Sequence, residues 1–276
     1  MGLTARSLGY TYAHGTSFAA TALQGVDFDL QPGELVIIAG TTGSGKSTML
    51  KLLAGLLDPT SGTVEVDGAV PSARGSRGRA AIVFQNPETQ FFAETVLADV
   101  AFGPRNMGAE DPERAALAAL GAVGLDPAAF ASRSPFALSG GEARRVAVAG
   151  ALAMGARYLL LDEPTAGLDA AGRREVHAAI DAERQRAGVA VVTHDPEEFL
   201  GRADRMLVLS GGAPAYTGRP AGLLDDAGWY EATGLRLPDI VRAQVLARQR
   251  GAVIDVPAFE PAAAARLLRD AREVAR

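Results

Sequence analysis

Leu35-Val36-Ile37-Ile38-Ala39-Gly40-Thr41-Thr42-Gly43-Ser44-Gly45-Lys46-Ser47-Thr48-Met49-Leu50 is the stretch from which the fold can be read. Leu35 to Ala39 form a short, continuous apolar run, as a strand buried on both faces requires. Gly40 to Ser47 fit G-x-x-x-x-G-K-[ST], and Met49, Leu50, Leu52 and Leu53 follow at helical spacing. Each residue type has a physical task. The glycines let the backbone curl so that successive N–H groups face phosphate oxygens, and the N-terminus of the following helix adds positive potential. Lys46 brings a full charge for β- and γ-phosphates, and Ser47 a hydroxyl for Mg²⁺. In a chain with 32 glycines among 276 residues, a Gly/Ser turn can precede a lysine by chance; the strand before and the helix after favour a phosphate cradle.

Working outward, three further apolar runs end in polar residues, and each reads as a buried strand. Ala80-Ala-Ile-Val-Phe-Gln85 ends in a glutamine able to reach Mg²⁺ or a water if it lies at the ligand crevice of an open α/β sheet. Tyr158-Leu-Leu-Leu-Asp162-Glu163 ends in adjacent carboxylates, an expensive place for idle charge, and Pro164 stops the strand. Beside a phosphate loop, Asp162 suits Mg²⁺ and Glu163 suits the role of a base for water. Val189-Ala-Val-Val-Thr193 is followed by His194, which ends a third strand on the same presumed edge. Met206-Leu-Val-Leu209 reads as the last core strand, ending at Gly211-Gly212.

Elsewhere the pattern changes. Residues 3–30 alternate in strand fashion, with Tyr12 either a packing aromatic or a stacking partner for a nucleotide base. Asp58 to Gly62 is a turn, and Thr63 to Gly68 a strand entering another. Residues 71–79 form a basic loop that reads as solvated, with contact to a phosphate or an anionic surface as the sharper option. Helical patterns dominate 94–156: Val96–Phe102, Pro112–Val123 and Glu142–Met154, punctuated by Gly103-Pro104 and Asp126-Pro127. Ser139-Gly140-Gly141-Glu142 opens the last of these. It reads as a capping box and, compatibly, as a bare helix N-terminus shaped for an anion. After the turn Thr165–Asp169 a helix is expected over about 170–186. Residues 219–276 are a separate, turn-rich segment: a helix over Pro238–Arg248 directing Ile240, Val241, Val245 and Leu246 to a core, a short strand Ala252–Val256, and a helix Pro261–Ala275 with Leu267, Leu268, Ala271 and Val274 on one face. It is too small to bury much alone and is expected to pack on the main domain or another subunit.

The composition sets outer bounds. The chain is 48% hydrophobic and 21% charged, an ordinary globular balance, and its length suggests two units. A net charge of −5 argues against a general nucleic-acid platform. Without cysteine, disulfides and thiolate metal sites are excluded. The first residues have no apolar signal-peptide core, and Gly2 after Met1 is weak ground for acylation. The apolar stretch Val146–Ala156 is too short to span a bilayer. Work at a membrane would then require docking on a membrane partner.

Taken as a set, these motifs resemble an ATP-binding cassette ATPase over residues 3–218. Gly40–Ser47 resembles the Walker A loop, Gln85 the Q-loop, and Leu138-Ser-Gly-Gly-Glu142 the signature sequence. Leu159–Asp162 with Glu163 resembles Walker B and its catalytic carboxylate, Ala166–Asp169 the D-loop, and His194 the switch histidine. Tyr12 falls where the family's adenine-stacking aromatic lies. Gln85-Asn-Pro-Glu-Thr-Gln-Phe-Phe-Ala-Glu-Thr-Val96, Asp99–Gly108, Arg144–Met154 and Gly234-Leu-Arg-Leu-Pro238 are similar to energy-coupling-factor transporter ATPases. Glu142 stands where many cassettes have glutamine.

The resemblance implies an α/β P-loop NTPase fold: a RecA-like mixed sheet core with an antiparallel β subdomain and a helical subdomain (about 88–156) within 1–218, plus a small C-terminal α/β segment for dimerisation at 219–276. It implies head-to-tail pairing with a second cassette, identical or paralogous, and two ATP molecules between them. Thr41, Thr42, Gly43, Ser44, Gly45, Lys46 and Thr48 would hold the nucleotide with Tyr12 and Asp169; Ser47, Gln85 and Asp162 would handle Mg²⁺. Ser139, Gly140, Gly141 and Glu142 would cap the partner's ATP, Glu163 would polarise the attacking water, and His194 would contact the γ-phosphate. The implied partners are a transmembrane coupling protein and a small membrane subunit binding a vitamin or transition-metal ion, with the chain at the cytoplasmic face and no nucleic acid. The acidic and aromatic stretch Glu88–Asp99 would help form the groove for the membrane partner. Three other readings compete: the ATPase of an importer with a soluble binding protein, a soluble cassette acting on DNA or ribosomes, and a nucleotide-gated module without turnover. The acidic charge and the absence of a long coiled-coil insertion speak against the second, and Glu163 with His194 against the third.

Overall fold

The computed structural model describes residues 1–71, 79–86, 89–225, 228–254 and 256–274. The basic loop therefore lies almost wholly outside the described residues, as does Glu88 of the expected groove. Nine strands among the described residues build two sheets. β1 (Leu3–Tyr12), β2 (Ala20–Leu30) and β4 (Ser61–Val66) form an antiparallel sheet in the order β2-β1-β4. The larger sheet runs β5-β6-β7-β3-β8-β9, from β3 (Leu35–Gly40), β5 (Ala80–Val83), β6 (Tyr158–Asp162), β7 (Gly188–Val192), β8 (Arg205–Ser210) and β9 (Ala213–Gly218). It is parallel except for β9, an edge strand that returns through Gly211-Gly212 to pair antiparallel with β8. The sequence pattern did not disclose β9, whose outer residues are exposed and carry no apolar run.

The central strands read as continuous apolar runs because both faces are covered. Successive side chains point to opposite faces, so each strand feeds two cores. Leu35, Ile37 and Ala39 join Leu159 and Leu161, Val189 and Val191, and Met206 and Val208 in one cluster. Val36 and Ile38 join Leu160, Ala190, Val192 and Leu207 in the other, which the antiparallel sheet closes with Leu3, Leu8, Val26 and Leu30.

α1 (Lys46–Leu53) follows the phosphate loop and buries Met49, Leu50, Leu52 and Leu53 in the second cluster. The helical region expected after β5 is present as α2 (Val96–Val100), α3 (Phe102–Asn106), α4 (Pro112–Ala122), α5 (Pro127–Phe130) and α6 (Gly140–Ala153). Thr95, Asp111, Asp126 and Ser139 cap α2, α4, α5 and α6 through their side chains, which fixes where each begins. α7 (Ala170–Glu183) and α8 (Glu197–Leu200) flank β7.

The tail differs from expectation in two respects. It holds α9 (Gly228–Ala232), α10 (Asp239–Gln249) and α11 (Pro261–Val274), and no strand among the described residues of Ala252–Val256. Just beyond it, the fully buried Gln244 accepts from the Ala258 N–H at 2.9 Å and donates to the Ala258 carbonyl at 2.7 Å. On α10, Val241 and Gln244 are buried and Ile240 and Val245 partly so, whereas Leu246 faces outward, 47% exposed. Leu246 follows the buried Gln244 and the partly buried Val245 at about 100° per residue, which turns it off the inner face. Tyr230, Leu237, Val241 and Ile254 enter the same core cluster as the main sheet, so the tail packs on its own main domain. No helix among the described residues is long and apolar enough to cross a membrane.

Candidate active site

In an open parallel sheet, ligands sit beyond the carboxyl ends of the strands. Val83, Leu161, Val191 and Ile37 share one row of the register across β5, β6, β7 and β3. Gln85, Asp162, Glu163, His194 and Gly40 all lie within three residues past that row. Residues separated by up to 154 positions in the chain thus meet on one edge.

The phosphate loop is shaped by two glycines with no room for a side chain. A Cβ on Gly40 (φ +150°) would lie 2.4 Å from the Leu209 carbonyl oxygen, and one on Gly45 (φ +101°) 2.5 Å from that of Ala22. Gly45 is also the residue that opens α1, whose first N–H groups have no partner within the helix. The Lys46 ammonium donates to the carbonyls of Gly40 at 2.7 Å and Thr41 at 2.9 Å, arching over the loop. Burial lowers its pKa, while Glu163 and Asp162 pull it back up. Thr42 and Gly43 are exposed at the tip, and the buried Ser44 hydroxyl has no hydrogen-bond partner among the described residues.

Asp162 is buried at the end of β6. Burial pushes its carboxyl up, against a hydrogen bond from Ser47 that favours the charged form. Ser47 and Asp162, 115 positions apart, are thus brought to the same sheet edge. Glu163 follows in a left-handed backbone conformation (φ +54°), rare for a residue with a side chain. Its N–H donates to Val192 at 2.9 Å. One carboxylate oxygen accepts the backbone N–H of His194 at 2.8 Å, and the other lies 2.8 Å from His194 Nδ1. Gln85 is exposed, two residues past β5.

Tyr12 ends β1 beside the start of α1. Its hydroxyl is 3.0 Å from Thr48 Oγ1 and its ring packs edge-on against Tyr10, leaving it 41% exposed. Ser139 to Glu142 stand on α6, and no hydrogen bond or ion pair among the described residues joins them to the phosphate loop. Both expected halves of the capping box are present: the Ser139 hydroxyl accepts from the Glu142 N–H, and Glu142 accepts from the Ser139 N–H at 2.7 Å. Arg133 adds an ion pair to Glu142 at 2.9 Å. The Ser139 N–H and then Arg133 hold the Glu142 carboxyl down at about 2. Asp169 spends one oxygen capping α7 through the Gly172 N–H at 2.7 Å.

Three contacts escaped the sequence reading. Arg144 on α6 donates to the Glu163 carbonyl at 2.7 Å. Thr165 donates to Glu198 at 2.6 Å, which ties the turn after β6 to α8. The loop after β7 and the tail enclose a cavity of about 290 Å³ lined by His194, Asp195, Glu197, Arg236 and Asp239. Each pairs residues far apart in sequence, and no local pattern announces it.

The ABC transporter family matches residues 23–166 of the chain. The energy-coupling factor transporter ATP-binding protein EcfA2 of Symbiobacterium thermophilum is 46% identical over 275 residues, covering 96% of this chain and 95% of that protein. The protein of the same name from Streptococcus sanguinis is 45% identical over 253 residues, covering 88% and 90%. The chain belongs to the energy-coupling-factor ATP-binding proteins of the ABC transporter family.

Solved structures agree with this cassette. A dimeric ATP-binding cassette in a post-hydrolysis state with ADP and phosphate is 30% identical, with a TM-score of 0.70 over 79% of this chain and 98% of its own. The cbiO1 protein of Clostridium perfringens, part of the ABC transporter complex cbiONQ, is 31% identical with a TM-score of 0.68, covering 87% and 97%. The cassette is an ATPase: it binds ATP and hydrolyses it in the service of transport.

Proposed function

We propose that the cassette powers uptake of a vitamin or a transition-metal ion from the cytoplasmic face of the membrane, as one of two cassettes beneath a transmembrane coupling protein that holds a small substrate-binding subunit. The observation that carries the chemistry is the meeting of Lys46, Ser47, Asp162, Glu163 and His194 on one sheet edge. Relatives of 46% and 45% identity named for energy-coupling-factor transport support the subtype.

In this reading the loop amides and Lys46 hold the β- and γ-phosphates, and Tyr12 stacks on the adenine. Mg²⁺ suits the donors present. Ser47 lies close enough to Asp162 to favour its charged form, and Gln85 lies two residues past the neighbouring strand. No group of three or more His, Cys, Asp or Glu side chains suited to a metal ion occurs among the described residues, as expected of an ion held by one carboxylate, a hydroxyl and the substrate's phosphates. The ion would offset phosphate charge. The Glu163 carboxylate keeps lone pairs beyond those given to His194, enough to orient and polarise a water for attack on the γ-phosphorus. His194 Nδ1 is held by Glu163, which leaves Nε2 for a γ-phosphate oxygen. Ser139, Gly140 and Gly141 of the second cassette close the site, and Asp169 lies at the junction.

The membrane partner docks on the face that carries Phe92 and Phe102. These rings pack edge to face at 4.6 Å yet remain 58% and 44% exposed, beside the exposed Glu94. Asp99 fixes this surface by accepting the N–H groups of Phe92 and Ala93, each at 3.0 Å.

Purification of the tagged chain from detergent-solubilised native membranes tests the proposal. Recovery of one coupling protein, one small hydrophobic binding protein and a cassette partner is the expected result. Recovery of a permease pair with a soluble binding protein would move the chain to the other class of importer.

A further inference from the structure

Glu163 combines an unusual backbone with a demanding position. Its left-handed φ of +54° persists only where surrounding contacts over-determine it. On one side its N–H is bound to Val192, and its carboxylate to both the backbone and the ring of His194. On the other side its carbonyl takes its contacts from Ala166 and Arg144. Pro164 follows and has no N–H to offer. The Ala166 N–H reaches the carbonyl at a long 3.3 Å, whereas the Arg144 guanidinium meets it at 2.7 Å with a full charge.

Arg144 stands on α6, five residues after Ser139, whose capping box starts that helix. A shift or rotation of α6 as a rigid body therefore moves the guanidinium and, through it, the peptide plane that carries Glu163. Because the carboxylate is fixed to His194 at its far end, a change at the carbonyl alters how the side chain presents itself to water.

We propose that Arg144 is a positioning residue for Glu163, transmitting the placement of the Ser139–Glu142 helix end to the catalytic carboxylate. This rests on the reading of Glu163 as the base given above. In a head-to-tail pair, contact of Ser139–Gly141 with the partner's ATP would in this way reach the glutamate of the cassette's own site.

The test uses steady-state ATP hydrolysis by the full chain with three substitutions. Arg144→Met keeps the aliphatic stem and removes the donors; it is expected to lower kcat by about ten- to a hundredfold with KM for ATP changed by less than about twofold. Arg144→Lys restores one charged donor and is expected to recover most of that loss. Equal kcat in wild type and Arg144→Met overturns the proposal. A loss of ATP affinity and thermal stability in both variants, with no rescue by lysine, also overturns it, because a merely structural role predicts that result. Glu163→Gln run alongside separates the two readings. Turnover surviving there overturns the role of Glu163 and this proposal with it; turnover lost there but kept in Arg144→Met overturns the proposal alone.

Discussion

Glu163 holds His194 at two points, the backbone N–H at 2.8 Å and Nδ1 at 2.8 Å, with the carboxylate buried and the imidazole 70% exposed. A carboxylate only accepts, so Nδ1 carries the proton in this contact and the tautomer is fixed by Glu163. In the proposed mechanism one acid would thereby orient the imidazole toward the γ-phosphate while holding its own place beside the attacking water.

Glu163→Gln should keep that backbone contact, since an amide oxygen also accepts, while removing the base. The expected outcome is ATP affinity within about threefold of wild type and kcat lower by about a hundredfold or more. Titration calorimetry and phosphate release measure the two separately. A stable ATP-bound pair of cassettes should accumulate in the variant, visible by size-exclusion chromatography with light scattering.

Lys46→Ala removes the charge that arches over the loop to Gly40 and Thr41. ATP affinity is expected to fall by about tenfold or more, from loss of a charge-assisted phosphate contact. Calorimetry showing unaltered affinity would end the phosphate-cradle role of this lysine.

Asp162 makes the ligand-free fold depend on pH in a defined direction. Burial raises its pKa, so the folded chain binds this proton more tightly than the unfolded chain does. Through this group alone, stability is therefore lowest where the carboxyl is ionised in both states and rises as pH falls through the folded-state pKa toward the ordinary carboxylate value. Asp162→Asn should raise the melting temperature without nucleotide near pH 7, and should abolish the stabilisation that Mg²⁺ adds to ATP. Thermal melts with and without each ligand read both effects.

Glu142 works with the opposite sign. Its carboxyl sits at about 2 in the fold against an ordinary 4.5, so the stability it contributes is complete above about pH 5 and lost as pH falls through 2. The side chain is 22% exposed, and solvent discounts the ion pair with Arg133. Glu142→Ala should cost about 1 kcal/mol at pH 7, the usual size of a lost cap, and the difference from wild type should shrink in denaturation curves taken toward pH 2.

The tail at 219–276 is proposed to support pairing of cassettes, and Leu246, Val253 and Val256 are exposed apolar residues on it, at 47%, 72% and 73%. Leu246→Glu with Val253→Glu should weaken dimerisation by about tenfold or more while leaving the monomer's melting temperature unchanged. Sedimentation equilibrium with ATP in the Glu163→Gln background measures it. These surface changes are a cleaner test than ending the chain at 218, which would remove Leu223, Tyr230, Leu237 and Val241 from the core cluster they share with the main sheet.

The phosphate loop, the buried strands and the carboxyl-end residues Gln85, Asp162, Glu163 and His194 are legible in the chain alone. Those signals are local: an apolar run needs two covered faces, and a glycine-rich turn before a helix needs an anion or open space. The capping box at Ser139 is legible there too, because both partners lie within four residues. The tertiary structure alone decided the contacts that join distant residues: Arg144 to Glu163, Arg133 to Glu142, Tyr12 to Thr48, and Gln244 to Ala258. Their separations of 19, 9, 36 and 14 residues follow no secondary-structure period. The tail shows the same limit from the other side. Ala252–Val256 has the composition of a strand, but a strand forms only beside an edge that can pair with it, and that pairing is a property of the tertiary structure.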